Sequence, residues 1–112
     1  MISNLSDALS LIKNHKLKDS IHVLDNIIND DKQNFDAFHL RGICFLRLSE
    51  YDNAKKDFNK AIFIKPNFPE AYNNLGLLNF NIGENEMAIE NFIKAIKLNN
   101  HFLCQHHLKS IL

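Results

Sequence analysis

This chain of 112 residues contains only three glycines, two prolines and two cysteines. Each scarcity removes a class of function. Three scattered glycines cannot build the glycine-rich loop that cradles phosphate, and no Gly-x-Ser-x-Gly or His-Glu-x-x-His motif is present. The cysteines, Cys44 and Cys104, lack Cys-x-x-Cys spacing, which fits a reduced thiol pair and a cytoplasmic protein. Lys and Arg total 13 against 13 Asp and Glu, so the chain has no surplus of positive charge for binding phosphate. Nucleic acid is therefore not an expected partner. No run approaches the roughly 18 apolar residues needed to span a bilayer, so no membrane partner is expected. The opening MISNLSDALSLIKN has no basic region followed by an apolar core, and no signal peptide is expected.

What the chain does have is self-similarity. Residues 35–68, FDAFHLRGICFLRLSEYDNAKKDFNKAIFIKPNF, return 34 positions later as residues 69–102, PEAYNNLGLLNFNIGENEMAIENFIKAIKLNNHF. Gly42 aligns with Gly76, Ala54 with Ala88, Phe58 with Phe92 and Ala61 with Ala95. A fixed period of this size marks a repeat architecture. The unit resembles the tetratricopeptide repeat, a helix–turn–helix module. The residues that carry the resemblance are Phe38, Gly42, Phe45, Ala54, Phe58, Ala61 and Pro66 in one copy. In the next they are Tyr72, Leu75, Gly76, Ala88, Phe92 and Ala95. Departures are Arg41 for a leucine, Asn79 for an aromatic and Asn100 for a proline.

The resemblance implies an all-α, right-handed α-solenoid of stacked antiparallel helix pairs. A single domain over 1–112 is expected, with repeats at about 1–34, 35–68 and 69–102 and a capping helix at 103–112. The first repeat is worn. Leu5, Leu9 and Ile12 recur at helical spacing, as do Ile21, Leu24, Ile27 and Ile28, and Ser3 is placed to cap the first helix. Helices are expected at 35–48, 51–64, 69–81 and 85–98, with Pro66 ending one and Pro69 opening the next. Gly42 in mid-helix costs about 1 kcal/mol relative to Ala, so it needs a reason. Close approach of the paired helix is that reason, with Ala54 and Ala61 facing the same crossing. Arg41 either snorkels outward or pairs with a carboxylate such as Asp57.

In the family, first helices line a concave groove. Carried onto this chain, the groove-facing places are Leu9, Ile43 and Leu77, and Ile12, Leu46 and Phe80, with His39, Asn73 and Arg47 as polar selectors. An apolar floor with a polar rim suits an amphipathic helix or an extended peptide. Packing between neighbouring first helices is the competing role for the apolar six. The family's grip on a C-terminal carboxylate needs Lys, Asn and Arg at five places that here hold Leu5, Leu9, Leu40, Glu70 and Asn74, which excludes that mode.

The expected function is a non-catalytic protein-interaction module with no cofactor. Two alternatives remain: a self-associating element, dimerising through the apolar C-terminal helix, or a regulatory segment serving a separate enzyme. His101, Cys104 and His107 recur every third residue, but no fourth ligand accompanies them and no metal is expected.

Overall fold

A computed structural model describes the backbone of residues 4–111 and the side chains of residues 4–99. The described residues form six α-helices and no strand: α1 (Leu5–Lys13), α2 (Leu17–Asp30), α3 (Phe35–Arg47), α4 (Tyr51–Ile64), α5 (Pro69–Asn81) and α6 (Asn85–Ile111). The chain divides into two compact units, 1–66 and 67–112. The first holds α1–α4, with α1 on α2, α3 on α4, and α3 also touching both α1 and α2. The second is the α5–α6 hairpin.

Each hairpin closes on a small-residue seam. A methyl group on Gly42 would lie 2.7 Å from the ring of Phe58, and one on Gly76 would lie 2.6 Å from the ring of Phe92. The absent side chain is what lets the ring of the second helix rest on the backbone of the first. Ala54, Phe58 and Ala61 of α4 are all fully buried. The first repeat keeps the same seam with different sizes. Ala8 stands where glycine stands later and Leu24 stands where phenylalanine does, and both are fully buried. A slightly larger floor is matched by a slightly smaller knob, as close packing requires. There Ser20 also donates a hydrogen bond from its hydroxyl to the Ala8 carbonyl, at 2.9 Å.

The hairpins are antiparallel by their cross-contacts. In the second unit, Lys94 lies over the Tyr72 ring, Phe92 over Gly76, and Asn91 reaches Asn79, so one helix ascends as the other descends. In the first unit Lys65 lies over the Phe35 ring while Phe58 meets Gly42.

The three hairpin turns are copies of one another. His15, Ser49 and Gly83, each 34 residues apart, all take the left-handed conformation, with φ of 62°, 62° and 86°. At each turn the next N–H reaches back five residues: Lys16 to the Leu11 carbonyl, Glu50 to Phe45 and Glu84 to Asn79, all at 2.8 Å. The left-handed residue itself donates to the carbonyl three back. This is the Schellman motif, which normally favours glycine at the left-handed place. Two of the three turns hold that place with a residue carrying Cβ, at a conformational cost.

Helix starts follow local chemistry. α1 is capped by Asn4, one residue after the serine expected to do so: its side-chain oxygen accepts from the Asp7 N–H at 3.0 Å. Asp7 in return accepts from the Asn4 N–H, completing a capping box. Asn34 caps α3 by accepting from the Ala37 N–H. Pro69 opens α5, where its missing N–H leaves no hydrogen bond unmade.

Helices α3, α4 and α5 end within a residue of expectation; α6 does not. It runs without interruption to Ile111, past residue 98 where the register of Asp30 and Ile64 would stop it. Residues 103–111 of the segment expected as a capping helix are helical, as the continuation of α6. Pro66 disfavours the helical conformation at Lys65 and ends α4. Asn100, at the same register, imposes no such stop.

Two measurements test the seam and the turns. Gly42→Ala gains about 1 kcal/mol of helix propensity but meets a fully buried ring, and overpacking costs about 1–3 kcal/mol. The urea midpoint should fall by the equivalent of about 1 kcal/mol. Gly76→Ala should lose less, because Phe92 is only half-buried and can yield. Ser49→Gly should raise the melting temperature, by the equivalent of about 0.5–1 kcal/mol, by removing a left-handed Cβ.

Candidate functional site

The places expected to face a groove share one register on each first helix, and the structure exposes them unequally. On α5, Asn73, Leu77 and Phe80 lie at i, i+4 and i+7, so they share one face. All three are exposed, Phe80 by 63% and Leu77 by 41%. On α3 the equivalent stripe is His39, Ile43 and Leu46. Ile43 and Leu46 are half-buried, Arg47 beside them is exposed, and His39 is buried. On α1, Leu9 is 42% exposed whereas Ile12 is buried.

Ile12 and His39, both expected as contacts, are thus buried instead. In the first unit α3 is flanked by α1 and α2, and side chains on its flanks are drawn into those contacts. The His39 ring lies 5.9 Å from the Phe58 ring, tilted by 52°, so it belongs to the aromatic packing around the seam. A helical register fixes which residues share a stripe. It does not fix how much of the stripe the neighbouring helix covers.

Arg41 makes the densest polar constellation among the described residues. Its Nε and Nη2 donate to the two carboxylate oxygens of Asp57, each at 2.8 Å, in the paired geometry a guanidinium favours. Its Nη1 donates to Asp25 Oδ1, also at 2.8 Å. The guanidinium also lies 5.6 Å from the centre of the Phe38 ring and 5.9 Å from that of Phe45. One side chain on α3 therefore ties α2 to α4. The Asp57 side chain is only 6% exposed and that of Asp25 is 50% exposed, so the two ion pairs differ in weight.

Burial pushes the Asp57 carboxyl up from the usual aspartate range, against the pull of the Arg41 guanidinium. The guanidinium is held charged beyond its ordinary value, chiefly by its hydrogen bonds to Asp57. Pairing with Asp57 is one of the two roles the sequence left open for Arg41. Asp25 was the missed partner, and its signal is spacing: Asp25 and Asp57 stand sixteen residues either side of Arg41.

A second polar cluster lies in the other unit. Asn79, at the place where an aromatic is usual, is 1% exposed. Its side-chain oxygen accepts from Asn91 at 2.7 Å and its amide donates to Glu84 at 3.1 Å. Among the described residues no buried side-chain nitrogen or oxygen lacks a partner. These networks are closed on themselves, which suits structure more than chemistry.

Catalytic or metal-binding use finds little support in the geometry. Cys44 is fully buried, and burial pushes its thiol up, away from the reactive thiolate. Among the described residues no three His, Cys, Asp or Glu side chains converge to hold a metal. The side chains of His101, Cys104 and His107 lie outside the described residues, as do Phe102 and the other apolar residues of the C-terminal segment. No helix among the described residues is long and apolar enough to cross a membrane.

Helical hairpins that repeat every 34 residues, with matching turns and seams, define an α-solenoid repeat protein. The TPR repeat family matches residues 45–83 and the tetratricopeptide repeat family matches residues 69–102, so the two together cover 45–102. The chain belongs to the tetratricopeptide repeat proteins.

Heat shock protein STI1 of Saccharomyces cerevisiae is 31% identical over 58 residues, which is 52% of this chain and 10% of that protein. The chain thus spans about a tenth of the length of that curated relative. The crystal structure of MamA superposes with a TM-score of 0.80 at 25% identity, covering 87% of this chain and 57% of that one. The second TPR of Spaghetti (RPAP3), bound to the HSP90 peptide SRMEEVD, superposes with a TM-score of 0.79 at 22% identity, covering 83% of this chain and 86% of that one. The likeness to the second of these structures establishes the fold alone.

The Arg41 constellation has a measurable asymmetry. Arg41→Met leaves the Asp57 carboxylate buried without its counter-charge and should cost about 3 kcal/mol in urea denaturation. Arg41→Met with Asp57→Leu should recover most of that. Asp25→Ala removes only the half-exposed pair and should cost less than about 1 kcal/mol.

Proposed function

We propose that this chain is a non-catalytic protein-interaction module that takes an amphipathic helix or an extended peptide on the apolar faces of its first helices. One observation carries the reading. The groove-facing register, which would be buried if it served only packing, leaves large apolar side chains open: Leu9 on α1, and Leu77 and Phe80 on α5. Ile43 and Leu46 are half-open at the same register of α3. Ile12 and His39 support these contacts from beneath, and Arg47 and Asn73 stand at the polar rim.

The mechanism is preorganisation. Each contact residue sits on a helix that its own seam holds against a partner helix. Little backbone order is lost on the module's side when a partner binds. The structural likeness to a TPR domain that holds a peptide supports a peptide-sized partner. The chemistry of that particular peptide does not carry over. SRMEEVD ends in acidic residues, whereas the five places of the carboxylate grip hold Leu5, Leu9, Leu40, Glu70 and Asn74 here. With no cation among those five, the surface favours apolar anchors over an acidic tail.

Panning a displayed random-peptide library against the chain should enrich sequences with apolar residues at i, i+3 or i+4, or alternating along an extended strand. Leu77→Asp and Phe80→Asp should each weaken the selected peptides at least tenfold, about 1.4 kcal/mol, with helicity by circular dichroism unchanged. Binding that survives both substitutions and Leu9→Asp places the partner elsewhere and overturns the reading.

A further inference from the structure

The second helix of the last repeat carries an apolar stripe that no described residue covers. Ile89, Ile93 and Ile96 lie at i, i+4 and i+7 on α6, and they are 57%, 45% and 58% exposed. Large exposed side chains gathered on one helix face mark an interaction surface more often than scattered ones do.

Internal repetition tells what this register is for. Counting back two periods places Ile89, Ile93 and Ile96 at Ile21, Asp25 and Ile28 of α2. In the first unit that face of α2 meets α3. Asp25 pairs with Arg41 of α3, Ile28 is buried and Ile21 is half-buried. The register is therefore the one that receives the first helix of a following repeat. On α6 it has changed character: the aspartate that took an arginine is now Ile93, so the complement must be apolar. The segment after residue 98 does not turn back to supply it, because α6 continues as one helix to Ile111.

We propose that the occupant is a second copy of this chain, its α6 laid antiparallel along the first about a two-fold axis near Ile93. An isologous contact requires a surface complementary to itself, and the charges beside the stripe meet that condition. Glu90 and Lys97, both exposed, lie seven residues apart on the same flank of the stripe. When two α6 helices run in opposite directions with the axis between Ile93 and Lys94, each Glu90 comes level with the Lys97 of the other copy. Ile93 then packs near the axis, with Ile89 and Ile96 either side. A parallel two-fold arrangement would put the two copies of this flank on opposite sides of the contact, where Glu90 and Lys97 could not meet, so only the antiparallel arrangement pairs the charges. This surface is on the second helix of its hairpin, apart from the first-helix faces proposed for a peptide. Either proposal can fail without the other.

The test is sedimentation velocity on the whole chain across the micromolar range. The unsubstituted chain should show a concentration-dependent dimer. Ile93→Glu, which sets two carboxylates near the axis, should raise the dissociation constant at least tenfold with unchanged circular dichroism. Glu90→Lys alone and Lys97→Glu alone should each weaken the dimer, and the two together should restore it, because the swapped charges again meet in opposite signs. A chain that is monomeric throughout this range overturns the proposal. So does a dimer indifferent to Ile93→Glu, or a charge swap that fails to restore association.

Discussion

The closeness of a phenylalanine ring to a glycine backbone is the constraint from which the rest of this structure follows. Phe58 on Gly42 and Phe92 on Gly76 each fill the space that a single methyl group would claim. Two helices can approach this near only where one of them gives up its side chain. The cost is about 1 kcal/mol of helix propensity at each glycine. Burial of a phenylalanine side chain, roughly 1.5–3 kcal/mol, outweighs it. Once the seam is closed, the turn at one end and the alanines at 54, 61, 88 and 95 have little freedom left. The first repeat shows that the requirement is a summed volume and not a particular residue pair, since Ala8 and Leu24 satisfy it as well.

Arg41 solves a different problem. A seam fixes the spacing within a hairpin but says little about how the next hairpin docks on it. Arg41 addresses both at once: it grips Asp57 inside its own hairpin and Asp25 on the preceding helix. Taking such charges out of water is expensive, and a buried ion pair is a weak source of net stability. Its contribution is directional. Three donors of a rigid planar group meet three carboxylate oxygens at 2.8 Å, a geometry that a shift of one helical turn would break. The rings of Phe38 and Phe45 lie within cation–π reach of the same guanidinium.

Much of this was legible in the amino-acid order, and what was not failed for physical reasons. The period placed α3, α4 and α5 to within a residue, because repetition averages over the noise of single-residue propensity. The left-handed turns at His15 and Ser49 were hidden because neither is glycine; only Gly83 announced the motif. The extent of α6 was hidden because the expected stop rested on family pattern, and Asn100 lacks the ring that enforces it. Of the candidate contacts, Leu9, Leu77 and Phe80 stand open while Ile12 and His39 are buried. Periodicity assigns a face, whereas exposure depends on which helix lies alongside. That information is tertiary. It enters the sequence only indirectly, as with the matched spacing of Asp25 and Asp57 about Arg41.

Comparing one register along the three repeats separates what the fold needs from what distinguishes each copy. The seam positions barely vary: Ala8, Gly42 and Gly76 on the first helices, and Leu24, Phe58 and Phe92 on the second. The outward register of the second helices varies completely, as Asp25, Asn59 and Ile93. Seams must be interchangeable because every hairpin closes in the same way. Outward faces are under no such common requirement. An aspartate admits an arginine-bearing helix, whereas an isoleucine rejects it, since a guanidinium set against that apolar face would lose its hydration without gaining a partner. The residue at this register thus bears on which surface can follow. On α6 the same register is apolar and exposed, as Ile93.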